Sequence, residues 1–362
     1  MKMRARRPLA LGLTLTVLAV GCGSSTSGGT SSSASAYTIK MPWGTFTLDP
    51  TIKARVQQKI SSGQPLDIPV FTWIQGDDFF TPVKKGIAAA AAKYHTTSTL
   101  IGPLASNQPE EIADIQSYLI RKPDAIAITL ANNDDGQALI NRLLAQGLPV
   151  LIWNSDAPKT KRLAYVGQDN TKAGAAVGAL MVKKLQAKGV TSGKIAMFAT
   201  DATAAYSKDQ RFPGFRNAVK AALPNIQFMD PVTLGPDISA AVGHVDATVR
   251  GKSGIVGMYS ADEIVVALAT WEKQNAKKGD YVIVGHNILP TELQLISAGY
   301  IDGTVGQDPY HQGYNSVQWL YNFLKTGKTD CGPICDTGYP VVDNPAAATN
   351  LLAANCGGQG CG

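Results

Sequence analysis

Carboxylates, amides and aromatic rings in this 362-residue chain gather just after short apolar runs. After the run at 68–74 stand Gln75, Gly76, Asp77, Asp78, Phe79 and Phe80. After the run at 150–153 stand Asn154, Ser155 and Asp156, and later runs are followed by Asp201, Asp262, Asn287 and Gln307. Carboxylates and amides supply the paired acceptors and donors that vicinal hydroxyls require, and aromatic rings cover the apolar face of a sugar ring. By composition this is a polyol site. The competing reading is that Asp and Asn at these places only cap the helices that follow; the set taken together favours a pocket. His244, His286 and His311 lack the spacing of a metal cluster, and His95 ends a helix, so no metal and no other cofactor is implied. Gly251-Lys252-Ser253 has Asp246 where a phosphate-binding loop needs glycine, which makes it a turn before a strand. No G-x-S-x-G nucleophile elbow is present.

The elements that must position these residues alternate between short apolar runs and helical stretches, the pattern of parallel sheets covered on both faces by helices. The fold class is α/β. Strands are expected at 68–74, 98–101, 125–129, 150–153 and 164–166, with helices at 82–94, 109–121 and 134–146. Ile112, Ile115, Leu119 and Ile120 share one helical stripe, and Leu139, Ile140, Leu143 and Leu144 another. The pattern restarts with a helix at 171–188, strands at 194–199, 226–229, 255–259, 281–285 and 303–305, and helices at 210–222, 238–249, 262–274 and 291–298. Two similar half-chains imply two similar lobes, in which ligands sit beyond the carboxyl ends of the strands. A last helix, 309–326, buries Tyr310, Tyr314, Val317, Leu320, Tyr321 and Leu324. Residues 37–67 precede the repeat as an extension without a functional assignment, with a short helix opened by Asp49 as cap and Pro50 at its first position.

Lys2, Arg4, Arg6 and Arg7 precede an apolar run from Leu9 to Val20, too short to span a bilayer and flanked like a secretory signal. These four are among the chain's 33 bases; without them 29 bases face 27 acids, a net +2 in place of +6. A near-neutral mature chain argues against a nucleic-acid groove or a polybasic membrane surface. With 44% hydrophobic residues it can fill two cores. Residues 23–36 are almost wholly Ser, Gly, Thr and Ala, a flexible tether. Cys331, Cys335, Cys356 and Cys361 close the chain, an even number that in an exported protein reads as two disulfides of open connectivity, with a structural zinc site as the rival.

Two resemblances follow from these motifs. Leu18-Ala19-Val20-Gly21-Cys22 resembles the lipobox of bacterial lipoproteins, with Ala19 where a bulky residue is usual, which makes 1–22 the signal and Cys22 the lipidated residue. Over residues 68–343 the chain resembles the ribose- and galactose-type periplasmic binding proteins of ABC sugar importers. The motifs are Asp77-Asp78-Phe79-Phe80, Gly147-Leu148-Pro149-Val150, Asn154-Ser155-Asp156, Val166-Gly167-Gln168-Asp169-Asn170, Arg211-Phe212-Pro213-Gly214-Phe215, Ala261-Asp262-Glu263, Ile283-Val284-Gly285-His286-Asn287 and Gly303-Thr304-Val305-Gly306-Gln307.

The family implies two Rossmann-like lobes, here 68–168 with 309–326 and 169–308 with 327–362, joined by crossings near 168–169, 307–308 and 326–328. It implies a monomer that binds a sugar or polyol between the lobes and delivers it, without catalysis, to an ABC permease at the outer face of the membrane or in the periplasm. Phe79 and Phe80 would face the ring, with Asn154, Asp156, Asp262, Asn287 and Gln307 as hydroxyl partners and Arg211 as a structural or clamping arginine. Asn154 and Asn287 stand where aspartate is general, and Ala261 where the ribose-type pattern has asparagine, so the ligand need not be ribose. Asp209-Gln210 and the run Trp153-Asn154-Ser155-Asp156 resemble the branch that binds rhamnose-like sugars and a furanosyl signal. A receptor for a sensor or chemotaxis partner is the alternative, and an enzyme with Asp156 and Asp209 as acid and base a further one. Changing Cys22 to Ser is expected to move the protein from membrane to soluble fractions; equal membrane retention would refute lipid attachment there.

Overall fold

Apolar residues that recur on both faces of a strand require cover on both faces, and here they build two parallel sheets. The computed structural model describes residues 37–357 apart from 77, 132 and 330, with the side chains of 133, 135 and 354–357 also outside the description. The export signal, the tether, Cys22, Asp77, Cys361 and the Cys356 side chain therefore lie outside the described residues.

The extension opens with an antiparallel hairpin, β1 (Thr38–Met41) and β2 (Gly44–Thr47). Asp49 then caps α1 (Pro50–Ser61) by accepting from the backbone N–H groups of Thr51 and Ile52, as the sequence predicts. Phe46, Leu48, Ile52 and Val56 join the core of the first lobe. Asp124, buried in that lobe, accepts from Arg55 Nε at 2.8 Å, Lys59 Nζ at 2.7 Å and the Asp67 backbone N–H at 2.8 Å. Residues 37–67 are thus part of the first lobe, held by apolar burial and by one carboxylate.

The first lobe continues through β3 (Val70–Phe71), α2 (Phe80–Tyr94), β4 (Leu100–Ile101), α3 (Gln108–Tyr118), β5 (Ile126–Ile128), α4 (Asn133–Ala145), β6 (Val150–Trp153) and β7 (Tyr165–Gly167). The second contains α5 (Asn170–Ala187), β8 (Ser192–Ala199), α6 (Phe212–Ala222), β9 (Asn225–Phe228), β10 (Val232–Thr233), α7 (Ile238–Val249), β11 (Ile255–Ser260), α8 (Val265–Gln274), β12 (Val282–His286), α9 (Pro290–Ser297) and β13 (Gly303–Val305). The chain closes with α10 (Pro309–Thr326), β14 (Ile334–Asp336), β15 (Val341–Val342) and α11 (Pro345–Gly357).

The first sheet has the order β4-β3-β5-β6-β7-β14, all parallel. The second runs β10-β8-β11-β12-β13-β15, with β9 also against β8 and only β15 antiparallel. Alternation divides the second lobe's core: Met197, Tyr259 and Val284 pack on one face of the sheet, Phe198, Met258 and Ile283 on the other. Helix α10 returns to the first lobe and lies against α2. The approach is close because Gly86 faces the Tyr310 carbonyl and Gly313 the Val83 carbonyl, where a Cβ would clash.

The chain passes from the first sheet to the second after β7 and leaves the second after β13. A third passage follows β14. The sequence puts it at 326–328 and assigns 327–362 to the second lobe, yet β14 lies parallel to β7 in the first sheet. A disulfide between Cys331 and Cys335 closes the turn after α10, and Tyr165 N–H donates to the Pro333 carbonyl at 2.9 Å. The returning strand covers the edge that β7 would otherwise expose. The crossing is at 337–340, after which β15 pairs with β13 and α11 packs on α9.

Asp124→Ala removes the acceptor that joins α1 to the first sheet. Its cost is expected to be about 1.5–3 kcal/mol, the range for hydrogen bonds to a charged group, read as a lower urea midpoint; an unchanged midpoint would show that apolar burial alone holds the extension.

Candidate functional site

In doubly wound sheets a crevice opens where neighbouring strands send their connections to opposite faces. The first sheet has this switch between β3 and β5, the second between β8 and β11. The loops that leave these strands face one another across the lobes and supply most of the polar and aromatic residues of an inner cavity of about 40 Å³. Trp73, Phe79 and Phe80 form its aromatic side, with Phe79 and Phe80 edge to face at 5.2 Å and Phe80 edge to face on Trp153 at 6.3 Å. Asn154, Thr200, Tyr206, Arg211, Asp262, Glu263 and Gln307 form its polar side. The volume admits a few waters, and hydrogen bonds between the lobes narrow the crevice over it.

Asn154 and Asn287 follow β6 and β12 with φ of 60° and 76°, a left-handed conformation that asparagine tolerates better than most residues. Their amides belong to one hydrogen-bonded chain. Asn154 Nδ2 donates to Gln312 Oε1 at 3.0 Å, and Gln312 Nε2 to Gln307 Oε1 at 2.9 Å. Gln307 Nε2 donates to Asn287 Oδ1 at 2.8 Å, and Asn287 Nδ2 to Glu263 Oε2 at 3.0 Å. Thr200 Oγ1 donates to the other Glu263 oxygen at 3.3 Å. The chain begins on the first lobe, passes the hinge and ends on the second.

Arg211, 3% exposed, sits at the base of the crevice. Its Nε donates to Asn170 Oδ1 at 2.9 Å, Nη1 to the Ala261 carbonyl at 2.6 Å and Nη2 to Gln168 Oε1 at 3.2 Å. These bonds make it a tie between the first crossing and β11, which favours the structural reading, though it also borders the cavity. Asp262 is turned inward too: Oδ2 accepts from the Thr200 N–H at 2.8 Å and the Tyr206 hydroxyl at 2.7 Å, and Oδ1 from Ser260 Oγ at 3.3 Å. Burial raises its carboxyl above the ordinary range, against the pull of those donors.

Asp156, Asp209 and Gln210 line a second, outer space of about 690 Å³ between the lobes, together with Asp134, Lys159, Asp201 and Lys208. The Arg162 guanidinium forks onto both oxygens of Asp156, at 2.5 and 2.8 Å. A π-helical turn, Tyr206–Arg211, separates the two spaces, with Tyr206 and Arg211 on the inner side and Lys208, Asp209 and Gln210 on the outer. Two bonds join the lobes along this divide: Ala205 N–H to the Ala131 carbonyl at 2.9 Å and Gln210 Nε2 to the Asp156 carbonyl at 3.3 Å. Asp78 is exposed beside the cleft, and Asp77 lies outside the described residues. Trp73, Thr200, Tyr206, Glu263 and Gln312 were not singled out by the sequence. Only Glu263 carried a signal, as the residue after Asp262 at the end of a strand. Among the described residues no group of His, Cys, Asp and Glu side chains is placed to hold a metal.

Residues 68–329 match the family model of the periplasmic binding protein domain. The chain belongs to this family. The xylose/arabinose-binding protein of Sulfolobus acidocaldarius is 22% identical over 298 residues, 78% of this chain and 72% of that protein. The D-galactose/methyl-galactoside binding periplasmic protein of Haemophilus influenzae is 26% identical over 267 residues, 70% of this chain and 80% of that protein. Among solved structures, a solute-binding protein of an ABC transporter from Agrobacterium vitis with bound D-fucose superposes with a TM-score of 0.71 at 26% identity, covering 79% of this chain and 98% of that one. The two-lobed fold of periplasmic binding proteins is the one the sequence motifs implied.

In this periplasmic binding protein Glu292, in the first turn of α9, is 1% exposed and its Oε2 has no partner. Burial, with a smaller contribution from the charge of Asp78 on the other lobe, raises its carboxyl to about 8. The folded protein therefore keeps a proton that the unfolded chain releases near the ordinary value of 4.5. The stability linked to that proton is complete below the unfolded value and falls as pH rises toward 8. Glu292→Gln should lower the loss of urea midpoint between pH 5 and pH 8; an unaltered pH dependence would count against a buried protonated Glu292.

Proposed function

We propose that the protein is the extracytoplasmic receptor of an ABC importer, a lipoprotein anchored through Cys22 that captures a sugar between its lobes and passes it to a membrane permease. The observation that carries the sugar reading is the inner cavity, where aromatic rings and the Asn154 amide of the first lobe meet the Gln307 amide of the hinge and the hydroxyl and carboxylate groups of Thr200, Tyr206, Asp262 and Glu263 on the second. Rings cover the apolar face of a sugar, and amides with one donor and one acceptor still free suit hydroxyls, which need both. The relatives support the class of ligand, since their names carry xylose, arabinose and galactose. Their names also describe binding proteins rather than enzymes, and the fork of Arg162 occupies both oxygens of Asp156, one of the two carboxylates that an acid and base pair would use. Phe79, Phe80, Asn154, Asn287 and Gln307 are the residues we assign to the ligand. Asp156, Asp209 and Gln210 are assigned to the mouth of the cleft. Among the described residues no helix is long and apolar enough to cross a membrane.

A sugar enters only when the lobes part about the three crossings, and contacts from both lobes then favour the closed form. At a hundredfold excess over its dissociation constant a bound sugar should add about 2.7 kcal/mol of stability, visible as a rise in melting temperature across a panel of pentoses, hexoses, deoxyhexoses and polyols. Asn154→Ala should weaken that binding by roughly 1 kcal/mol, about fivefold. No shift with any member of the panel would remove the sugar reading.

A further inference from the structure

The amide chain has a direction, and one residue outside the cavity lining carries it from lobe to lobe. A carboxylate accepts hydrogen bonds and cannot donate them. Glu263 therefore obliges Asn287 to present its Nδ2, which leaves Asn287 Oδ1 to face Gln307 and obliges Gln307 to present its Nε2 in turn. The same constraint reaches Gln312 and then Asn154. Gln312 is fully buried on α10 and anchored there, with its backbone N–H on the Asp308 carbonyl at 2.9 Å and its carbonyl accepting from Ser316 Oγ at 2.7 Å. It lies behind the cavity, between the hinge residue Gln307 and the first-lobe residue Asn154.

We propose that Gln312 is the positioning residue of the ligand site: it transmits the polarity imposed by Glu263 on the second lobe to Asn154 on the first, and so decides which atom each amide shows to a ligand. This rests on the sugar reading above only in what the amides are for. With the chain as it stands, Gln307 and Asn287 each spend one N–H and one lone pair on their neighbours and keep one of each, while Asn154 spends a single N–H. Asn154, at the head, keeps Oδ1 as an open acceptor. A ligand hydroxyl at the first lobe would therefore donate to Asn154, so a deoxy sugar that lacks this hydroxyl would bind more weakly.

The test is reversal of polarity. Gln312→Glu places an acceptor where the chain requires a donor to Gln307. Gln307 and Asn287 must then turn round, and Asn287 Oδ1 meets a Glu263 oxygen, two acceptors without a hydrogen between them. Glu263→Gln supplies that hydrogen, since its amide donates to the turned Asn287 and its carbonyl still accepts from Thr200. Four chains are compared, the parent, each single variant and the double variant, by the urea midpoint without ligand and by titration with D-galactose and D-xylose.

Gln312→Glu alone should lower the midpoint and weaken binding at least about tenfold, Glu263→Gln alone by a few fold, and the double variant should return to the level of Glu263→Gln. Gln312→Leu, which removes the relay without reversing it, should gain nothing from Glu263→Gln. If the double variant shows the sum of the two single losses, Gln312 only packs α10 and the proposal is overturned. Rescue of the midpoint with no binding of either sugar by the parent would establish the relay and count against these sugars as ligands.

Discussion

One side chain, Gln168, holds together all three strands on which the chain passes between the lobes. It lies fully buried in the first crossing, its Nε2 donating to the Gly306 carbonyl of the second at 2.6 Å and reaching the Gly338 carbonyl of the third at 3.4 Å. Its Oε1 accepts from Arg211. Backbone bonds run alongside, from Gly306 N–H to the Pro340 carbonyl at 2.7 Å and from Thr337 N–H to the Gly167 carbonyl at 3.0 Å. Three strands bound in this way bend together, so the lobes share one hinge rather than three independent joints. A buried amide left with any of these partners missing would cost on the order of 1–3 kcal/mol, which keeps the hinge segments in register while the lobes move.

The same economy of partners governs the site. Asp262 and Asp156 bring charge into the cleft, and each is satisfied within its own lobe, the first by backbone and hydroxyl donors and the second by Arg162. Arg211 likewise spends its guanidinium on Asn170, Gln168 and a carbonyl. The rest of the inner lining is neutral amide, hydroxyl, aromatic ring and the Glu263 carboxylate, whose oxygens accept from Asn287 and Thr200. An unpaired buried ion would bias such a cavity toward a counterion, whereas paired ions leave recognition to groups that suit hydroxyls. Trp73 adds an indole N–H that is buried at the cavity without a partner, a donor available to a ligand oxygen.

The two-lobed fold and many of its strands were legible in the sequence because their signals are local. Strands such as Ile126–Ile128 and Val150–Trp153 are short apolar runs, and the turns that follow place Asn154 and Asn287 directly after them. Glu263 was passed over because a carboxylate at the start of a helix already has an explanation as a favourable charge there. Tyr206 sits in a π-helical turn, which no periodicity announces, and Gln312 is one polar residue on a helix read for its apolar stripe. Strand β14 was missed for a related reason. Ile334-Cys335-Asp336 has no alternation of its own and is a strand through its pairing with the open edge of β7, after a turn closed by the Cys331–Cys335 bond. Each of these depends on a partner distant in the chain.

Closure without ligand has modest support at the mouth of the cleft. The bonds from Ala205 to Ala131 and from Gln210 to Asp156 are both between neutral groups, each worth about 1 kcal/mol net. The amide chain adds polar contacts that run from Asn154 through the hinge to Glu263. Against closure stands the confinement of a small polar cavity, whose free N–H groups and oxygens would be better hydrated when open. A balance of a few kcal/mol follows, and a ligand moves such a balance only by what it binds more tightly in one form than in the other. Asn154 and the aromatic rings belong to one lobe, Asn287 and Glu263 to the other. On the proposed assignment a ligand touches both sets together only when the lobes are closed, and occupancy and closure are then the same event.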